Sequence, residues 1–366
     1  MLHCLRLQNI NCPSGRFSWR FRTILKYHTN RSHSSGTISF NAQCPRHRKP
    51  ILSIARNRIH STSGTFVNIL NETAENNTLG KYESNALPSN AKTVICGGGI
   101  MGAAVAYHLA LYGLGDEVVL LEQDRIGGGM TWHSSGLVGA FKPTYSQVRL
   151  AQQTIKLYDD LSAKGLKTGW KQCGSLNVAR TRDRMTQFRR QKALSTLWGI
   201  ECELLSPSQC KEKCNILETR DLLGGIFIPK DGVAHPKFIC ETLMSEANRM
   251  GVKIIEKCTV REIEQRDNEM HSVSTNRGRI KCDYFVNCAG FWARTIGEMS
   301  EPTVKIPLQA AEHYFLHTQP IKHLDPMMPV IRDLDGQIYL RESEGRILAG
   351  GFDSNAKPAF ENVTIP

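Results

Sequence analysis

The sequence predicts an α/β fold in which a Rossmann-like nucleotide-binding domain is interleaved with an antiparallel-sheet domain. Two observations predict it. A glycine-rich turn at residues 97–102 follows an apolar run and precedes a helical segment. A second turn of small residues ends the apolar run at 283–290, and alternating, strand-like segments lie between and after the two turns. The nucleotide-binding domain is therefore expected to be assembled from two separate stretches of chain.

The first turn has the spacing Gly-x-Gly-x-x-Gly at Gly97, Gly99 and Gly102. The first glycine allows the tight turn, the second lets a phosphate approach the backbone, and the third lets the helix pack closely on the strand. The phosphate then faces the free N–H groups at the helix N-terminus. A glycine-rich turn without a ligand is the alternative interpretation.

The elements after this turn favour a dinucleotide site. Residues 104–111 predict an amphipathic helix, 113–116 a turn, and Val118–Leu121 a second buried strand. Glu122 ends that strand, twenty-five residues after Gly97. A carboxylate at this position can bind the ribose hydroxyls of an adenosine.

Positive charge is concentrated at the N-terminus. Residues 1–71 contain eleven of the 46 Lys and Arg residues and no acid, which leaves 35 basic and 34 acidic residues in the remainder. A nearly neutral body excludes a basic nucleic-acid-binding surface. The leader at 1–71 is Arg-rich, Ser-rich and acid-poor, which is typical of a mitochondrial transit peptide; a disordered basic tail is the alternative. We expect removal of residues 1 to roughly 60 on import and a mature protein in the mitochondrial matrix.

The rest of the chain divides into a linker and two interleaved domains. Residues 72–91 are polar and irregular, which predicts a linker. We assign 92–140 and 236–296 to the nucleotide-binding domain, and 141–235 and 297–362 to the substrate domain. No run reaches the roughly 18 apolar residues that a membrane span requires, so no membrane span is predicted. The cysteines lack paired metal-ligand spacing, so no metal site is predicted.

A second cluster of small residues surrounds a Trp-His pair in the segment Thr-Trp-His-Ser-Ser-Gly-Leu, which starts at Thr131. Glycines and hydroxyls leave space and hydrogen-bond donors for a ligand that lies against the backbone. Nicotinamide enzymes have no general need for such a loop. Flavin enzymes often need one, because their longer cofactor crosses the domain. The segment therefore argues against an ordinary nicotinamide dehydrogenase.

Six motifs together resemble the glycine oxidase/D-amino-acid oxidase superfamily of FAD-dependent oxidoreductases. Within it they resemble the branch of sarcosine dehydrogenase, dimethylglycine dehydrogenase and the pyruvate dehydrogenase phosphatase regulatory subunit. The motifs are Val-Ile-Cys-Gly-Gly-Gly-Ile-Met-Gly from Val94, Val-Val-Leu-Leu-Glu from Val118, Thr-Trp-His-Ser-Ser-Gly-Leu from Thr131, Ile-Pro-Lys-Asp-Gly from Ile228, Val-Asn-Cys-Ala-Gly-Phe-Trp-Ala from Val286, and Arg-Asp-Leu-Asp-Gly-Gln-Ile-Tyr-Leu-Arg from Arg332. The likeness covers about residues 92 to 362 and implies a D-amino-acid oxidase-like fold.

The resemblance implies FAD as the cofactor and assigns contacts to it. The ADP half is expected at Gly97, Gly99, Gly102 and Glu122, with Val260 on the adenine side. The flavin side is expected near Thr131, His133 and Gly136, and Gly290, at the end of an apolar strand, is expected to approach the cofactor closely. In the two dehydrogenases the His of Thr-Trp-His carries FAD through a covalent bond, so the resemblance implies attachment at His133. A non-covalent FAD contact and an ordinary loop histidine stay open.

The resemblance also implies a substrate site on the second sheet. It makes His313 a candidate active-site residue, with an ordinary buried histidine as the alternative. Family members tend to have a Tyr two places later, where this chain has Phe315 with Tyr314 next to it. Arg332 and Arg341 are candidate clamps for a substrate carboxylate, and solvated strand-end arginines are the alternative. The run 305–315 is expected to form a strand.

Two functions follow as expectations. The first is a mitochondrial FAD-dependent oxidoreductase that oxidises the C–N bond of a small amino-acid-like amine of the sarcosine or dimethylglycine type, with electron-transfer flavoprotein as a candidate partner. The second is a non-catalytic regulatory subunit that binds the catalytic subunit of pyruvate dehydrogenase phosphatase. The segments from Ile306 and Gly350, together with Phe315, favour the second function.

The resemblance also implies segments that are not in this sequence. Members of the branch run to more than twice this length, and the resemblance places a flavin-closing motif and a folate-binding domain after Pro366. A partial sequence and a shortened protein both stay open. We expect little turnover from the 366-residue chain alone, because its flavin ring would be open to water.

Overall fold

The computed structural model describes residues 6–10, 18–23, 38–39, 82, 85–267 and 269–359. The chain divides into two compact units, residues 1–76 and 77–366. Most of the predicted leader at 1–71 and part of the predicted linker at 72–91 lie outside the described residues. The residues described in the first unit form three strands paired in an antiparallel sheet: β1 (Arg6–Ile10), β2 (Ser18–Thr23) and β3 (Ile38–Ser39).

The described part of the second unit contains sixteen strands, six α-helices and two short 3-10 helices. The strands are β4 (Thr93–Cys96), β5 (Val118–Leu121), β6 (Leu137–Val138), β7 (Ser175–Ala179), β8 (Glu203–Leu205), β9 (Gly224–Ile228), β10 (Gly232–Val233), β11 (Lys253–Ile255), β12 (Val260–Arg266), β13 (Glu269–Thr275), β14 (Gly278–Lys281), β15 (Tyr284–Asn287), β16 (Phe315–His317), β17 (Val330–Asp333), β18 (Ile338–Ser343) and β19 (Arg346–Gly351). The α-helices are α1 (Ile100–Leu111), α2 (Tyr145–Ala163), α3 (Arg182–Trp198), α4 (Pro207–Lys213), α5 (Pro236–Arg249) and α6 (Ala293–Glu298), and the 3-10 helices are Gly115–Glu117 and Gly290–Trp292.

A four-stranded parallel sheet with the order β11-β5-β4-β15 forms the nucleotide-binding half of the fold. The two inner strands, β4 and β5, are largely buried because each face of the sheet is covered. Ile95, Leu120 and Ile254 pack on the side of α1 and α5, and Val94 and Val119 pack on the side of the β12-β13-β14 sheet. Double-sided burial is the usual state of parallel sheets.

A seven-stranded sheet with the order β16-β19-β18-β17-β7-β9-β8 forms the other half. It is antiparallel except at one place, where β17 and β7 run parallel. A hairpin cannot join parallel neighbours, so they need a long crossover connection. Here the chain between β7 and β17 passes through β11 and β15 of the parallel sheet. The predicted fold class, a Rossmann-like domain interleaved with a second sheet, is confirmed; the domain boundaries stay a prediction.

The prediction of a strand at residues 305–315 is wrong for most of that segment. Regular pairing begins only at Phe315, in β16, while Ala311 makes a single isolated bridge to Pro358. Pro307 interrupts the run, and its nitrogen has no hydrogen to donate to a sheet ladder. The alternation in this segment therefore reflects an extended, irregular approach to the sheet edge.

None of the described helices is both long enough and apolar enough to cross a membrane.

Candidate functional site

A cavity of about 450 Å³ lies at the carboxyl ends of the parallel strands. Residues that follow each of the four strands line the cavity: Gly97 after β4, Glu122 after β5, Cys258 after β11 and Cys288 after β15. Open α/β sheets bind their ligands outside the carboxyl ends of their strands. Its volume is within the range of about 300–1,000 Å³ that ligand pockets occupy.

Gly97 makes the turn that brings two strand ends together. Its φ of +112° is a conformation that favours glycine, and a Cβ there would lie 2.4 Å from the carbonyl oxygen of Cys288. The Gly97 N–H donates to the carbonyl of Leu121 at 2.8 Å, and the Cys288 N–H donates to that of Cys96 at 2.8 Å. A side chain at Gly97 would therefore break the rim of the cavity.

Gly99 stands at the N-cap of α1 and faces open space. A Cβ at Gly99 would meet only the Thr131 hydroxyl, at 3.1 Å, and the Gly99 backbone is extended. Thr131 Oγ1 accepts a hydrogen bond from the Ile100 N–H at 3.0 Å. Gly99, Ile100, Met101 and Thr131 all line the cavity. The N-terminal turn of the helix, with its positive dipole end, thus adjoins space that an anion can occupy.

Gly102 lies one turn into α1 and does not line the cavity. A Cβ there would lie 1.9 Å from the carbonyl oxygen of Gly97, so the absence of a side chain lets the helix pack onto the turn. Gly102 therefore packs α1 against the strand end, as the third glycine of the motif was expected to do, while its expected contact with the ADP half of FAD stays a prediction.

Glu122 lines the cavity at the end of β5. One carboxylate oxygen accepts from the Gly98 N–H at 2.6 Å and the other from the Asp124 N–H at 2.8 Å. Burial raises the pKa of this carboxyl, while the two N–H groups pull it in the opposite direction. Each carboxylate oxygen has a second lone pair, so Glu122 can still accept hydrogen bonds from ribose hydroxyls.

The remaining predicted cofactor residues divide into two groups. Gly136, Val260 and Gly290 line the cavity with Thr131, whereas His133 does not. The cavity is also lined by residues to which the sequence analysis assigned no role. These residues come from α2, α5, α6 and the adjoining 3-10 helix: Tyr158, Ile239, Phe291, Trp292, Thr295, Ile296 and Met299.

His133 is exposed and sits at the edge of this site. Its ring packs on that of Trp132, with centroids 3.7 Å apart, and its Nδ1 lies 3.3 Å from the carbonyl oxygen of Gly129. Gly129 and Ser134 line the cavity, so residues close to His133 in the chain face the cofactor space.

The cavity fits a bound dinucleotide by its own chemistry. An open helix N-terminus beside a glycine without a side chain suits a pyrophosphate, and a carboxylate one strand away suits a ribose. The ends of the other parallel strands and the aromatic residues 291–292 also line the cavity. Among the described residues, no group of three or more His, Cys, Asp or Glu side chains could hold a metal ion.

One face of the seven-stranded sheet carries the predicted substrate residues. Pairing registers put Arg332 opposite Tyr339, and Phe315 opposite Gly350, which itself pairs with Tyr339. Arg341 lies two residues after Tyr339 in β18. Directly paired residues and residues two apart share a face, so the four side chains project from the same side of the sheet.

His313 is brought to this face by tertiary contacts. Its Nε2 lies 3.4 Å from the Tyr339 hydroxyl, and its ring stacks on Phe352 with centroids 5.2 Å apart. Tyr314 points elsewhere: it is 72% exposed and donates to Glu312 at 2.7 Å. The hydroxyl near His313 thus belongs to Tyr339, a residue that the sequence analysis quoted only as part of a motif.

Arg332 and Arg341 are both partly buried, and burial lowers the pKa of each. The Arg341 guanidinium donates from Nη1 to the carbonyl of Glu342 at 2.9 Å. Arg332 lies beside the buried carboxylate of Asp231 at the backbone of Gly139, next to Val138 of the cavity wall. The interpretation of Arg332 as a solvated strand-end arginine does not fit its burial.

Comparison with known proteins shows the family of the chain. The sequence profile of the family described as FAD dependent oxidoreductase matches residues 92–365. The mitochondrial pyruvate dehydrogenase phosphatase regulatory subunit of mouse (Mus musculus) is 39% identical over 279 residues, which are 76% of this chain and 32% of that protein. Mouse mitochondrial sarcosine dehydrogenase is 35% identical over 336 residues, which are 88% of this chain and 36% of that protein.

A solved structure agrees with these relatives. The L-proline dehydrogenase from P. horikoshii superposes with a TM-score of 0.69 and 27% sequence identity, over 75% of this chain and 73% of that chain. The chain spans about a third of the length of the two mouse relatives.

Proposed function

The chain belongs to the family of FAD-dependent oxidoreductases, and we propose that it oxidises the C–N bond of a small N-methylated amino acid. The observation that carries this proposal is the cavity at the ends of β4, β5, β11 and β15. A face of the seven-stranded sheet, outside the lining of that cavity, bears His313, Tyr339 and Arg332. We further propose that the protein acts in mitochondria, as the names of both mouse relatives state for those proteins.

We propose that the ADP half of FAD is held by Gly99, Glu122 and the N-terminus of α1. Val260 would contact the adenine side, and Gly136 and Gly290 would contact the flavin side. When bound, FAD would accept hydride from the carbon beside the amine nitrogen. The protein's part is to orient the amine and to favour its neutral form, since only a free lone pair assists hydride loss.

His313 and Tyr339 are the proposed amine-binding pair. A neutral imidazole can accept a proton or hydrogen bond at one nitrogen and donate at the other, and the Tyr339 hydroxyl, near Nε2, can fix the orientation of the ring. Because Tyr339 is buried, the orientation of its hydroxyl is determined by the sheet rather than by solvent.

Replacing His313 should slow the reaction without removing the cofactor. For His313→Ala we expect the rate of anaerobic flavin reduction by sarcosine to fall by about 100-fold, the lower end of the usual effect of an acid–base group. Stopped-flow absorbance in a single turnover measures this rate even when steady-state turnover is low. Tyr314→Phe is the matched control, because Tyr314 points away from the site; equal rates in all three proteins would rule out the role of His313.

A covalent flavin bond at His133 is the second proposal for this site, on the basis of the Thr-Trp-His motif. If it forms, acid precipitation of the purified protein should leave the yellow colour in the pellet, and His133→Ala should release it to the supernatant. The bond would need His133 to turn from Trp132 and Gly129 toward the neighbouring cavity. Colour in the supernatant of the unmodified protein would contradict covalent attachment.

The regulatory-subunit function is a second candidate, favoured by the 39% identity to the mouse phosphatase regulatory subunit and by Phe315. In that case we expect no covalent flavin and a stable complex with the catalytic subunit of pyruvate dehydrogenase phosphatase. Sarcosine-dependent flavin reduction without such a complex would favour the dehydrogenase. The raised redox potential of a covalent flavin is useful to a catalyst and of little use to a binding protein.

A further inference from the structure

The helix α5 begins at a histidine. His235 is its N-cap, and the Nδ1 atom of His235 accepts a hydrogen bond from the Phe238 N–H at 3.4 Å. Pro236 follows at the first helical position, where a backbone N–H has no partner within the helix. The usual N-cap residues, Ser, Thr, Asp and Asn, offer an oxygen that still accepts in mild acid. An imidazole nitrogen accepts only while it is unprotonated, so this cap depends on pH as theirs does not.

The His235 ring is held in place by its neighbours. It stacks on the Phe238 ring, with centroids 3.8 Å apart and planes 17° apart, and Lys167 Nζ lies 3.8 Å from the centroid of that phenyl ring. The His235 N–H donates to the Thr168 carbonyl at 3.1 Å. A Cβ at Gly169 would lie 2.5 Å from the His235 Cβ, so the loop at residues 167–169 packs directly against the cap. The orientation of the imidazole is therefore set by the fold and not by solvent.

The start of α5 forms part of the wall of the cofactor cavity. Three residues around the cap line that cavity: Ala234, Pro236 and Ile239. The Ala234 N–H donates to the Gly136 carbonyl at 2.9 Å, and a Cβ at Gly136 would lie 2.1 Å from the Ala234 carbonyl oxygen. One turn further along α5, the Cys240 thiol donates to the Gly98 carbonyl at 3.5 Å. A change in the first turn of α5 therefore reaches both the glycine-rich turn and the loop at Gly136.

The surroundings of His235 disfavour a proton on its ring. The charged groups that face it come from the loop before β7, from α5 itself, from β18 and from the turn after β18: Lys167, Lys237, Arg341 and Glu344. Burial of the ring lowers the pKa of His235 most, the three cations lower it further, and Glu344 acts in the opposite direction. A charged ring would also face the positive end of the helix dipole. Because the folded-state pKa lies below the ordinary value of 6.5, the cap is complete above pH 6.5 and is lost as the pH falls through the lower value.

We propose that His235 is a positioning residue for the cofactor: its neutral ring holds the start of α5 against the cavity, and its protonation in acid releases that turn and weakens FAD binding. The inference rests on the part of the proposed function that places FAD in this cavity, and it does not depend on which amine is oxidised. Loss of an N-cap changes a folding equilibrium by about fivefold. If FAD binds the capped form alone, its dissociation constant rises by up to the same factor.

The test compares the unmodified chain with His235→Asn, whose amide oxygen can cap the helix at every pH of the experiment. FAD is titrated into the flavin-free proteins at about pH 7.5 and at about pH 5, on either side of the range in which an imidazole titrates, with flavin fluorescence as the readout. The dissociation constant of the unmodified chain, divided by that of His235→Asn, should rise about fivefold at the lower pH. The ratio cancels the titration of every other group, including the FAD phosphates. His108→Asn is the control, because His108 is an exposed histidine in the last turn of α1, and it should follow the unmodified chain at both pH values.

His235→Ala, which has no side-chain acceptor, should bind FAD about fivefold more weakly than His235→Asn at both pH values. A ratio between the unmodified chain and His235→Asn that is the same at both pH values overturns the inference, and so does a His235→Ala variant that binds as tightly as His235→Asn. If His235→Ala does not fold, as near-ultraviolet circular dichroism would show, the comparison with His235→Asn decides.

A measurement without FAD separates this inference from the proposed function. Amide hydrogen exchange in the first turn of α5 is recorded on the flavin-free proteins at both pH values, corrected for the intrinsic exchange rate. The protection of the unmodified chain relative to His235→Asn should fall about fivefold at the lower pH. If the unmodified chain binds FAD at neither pH, the proposed cofactor site fails and the exchange decides on the cap alone: a fall in relative protection supports it, and equal protection overturns it.

Discussion

Gly99→Val is expected to fold and to lose FAD. The added side chain would enter the space beside the first turn of α1, where its Cβ meets only the Thr131 hydroxyl within the protein. The pyrophosphate is expected in that space, so the valine methyl groups would exclude it. We expect the affinity for FAD to fall by about 100-fold or more, which corresponds to about 2.7 kcal/mol.

The result is measured by FAD titration of the refolded, flavin-free variant, with flavin fluorescence as the readout and circular dichroism as the check on folding. Leu111→Val is the matched control, because Leu111 is exposed in the last turn of the same helix. A folded Gly99→Val variant that binds FAD as tightly as the unmodified chain would show that the pyrophosphate lies elsewhere.

The cofactor side of the site could be read from the sequence because its determinants are local. Gly97, Gly99 and Gly102 act through backbone geometry within a few residues, and Glu122 is fixed by the strand that it ends. The apolar runs at Val118–Leu121 and Tyr284–Asn287 are short and bounded, and Val118–Leu121 is buried on both faces, so their assignment needed no knowledge of distant contacts.

The substrate side could be read only in part, because its contacts join residues far apart in the chain. The contact of His313 with Tyr339 spans 26 residues, and that of Ser175 with Asp231 spans 56. Neither pair has a sequence pattern of its own. Asp231 stands in the quoted motif Ile-Pro-Lys-Asp-Gly, yet only the fold shows that it lies beside Arg332.

The segment 305–315 and His133 show two other limits of prediction from sequence patterns. Alternation at residues 305–315 indicated a strand, but a chain can be extended without being paired, and Pro307 favours the unpaired state. The Thr-Trp-His motif indicated a site that Thr131 lines and His133 does not. Neighbours in a turn can face opposite directions, so the flavin contact of His133 stays a prediction.

Gly102→Ala is expected to destabilise the fold itself. A single methyl group there would lie 1.9 Å from the Gly97 carbonyl oxygen, which is a backbone atom of the turn and cannot rotate away as a side chain would. Either α1 moves off the sheet or the turn opens, and both changes disturb the core around Ala103 and Leu120. We expect a loss of about 3 kcal/mol in the free energy of unfolding, the upper end of the usual cost of overpacking.

Urea unfolding of the flavin-free and FAD-saturated proteins distinguishes this effect from the effect at Gly99. Bound FAD stabilises the folded state by mass action, so a variant that only loses FAD loses only the FAD-dependent part of its stability. Gly99→Ala, whose added carbon meets only the movable hydroxyl of Thr131, should fall in that class. Gly102→Ala should lose stability even without FAD, because its clash is with the protein. Equal flavin-free stability of Gly102→Ala and the unmodified chain would mean that α1 is not held as closely against the turn as the 1.9 Å approach requires.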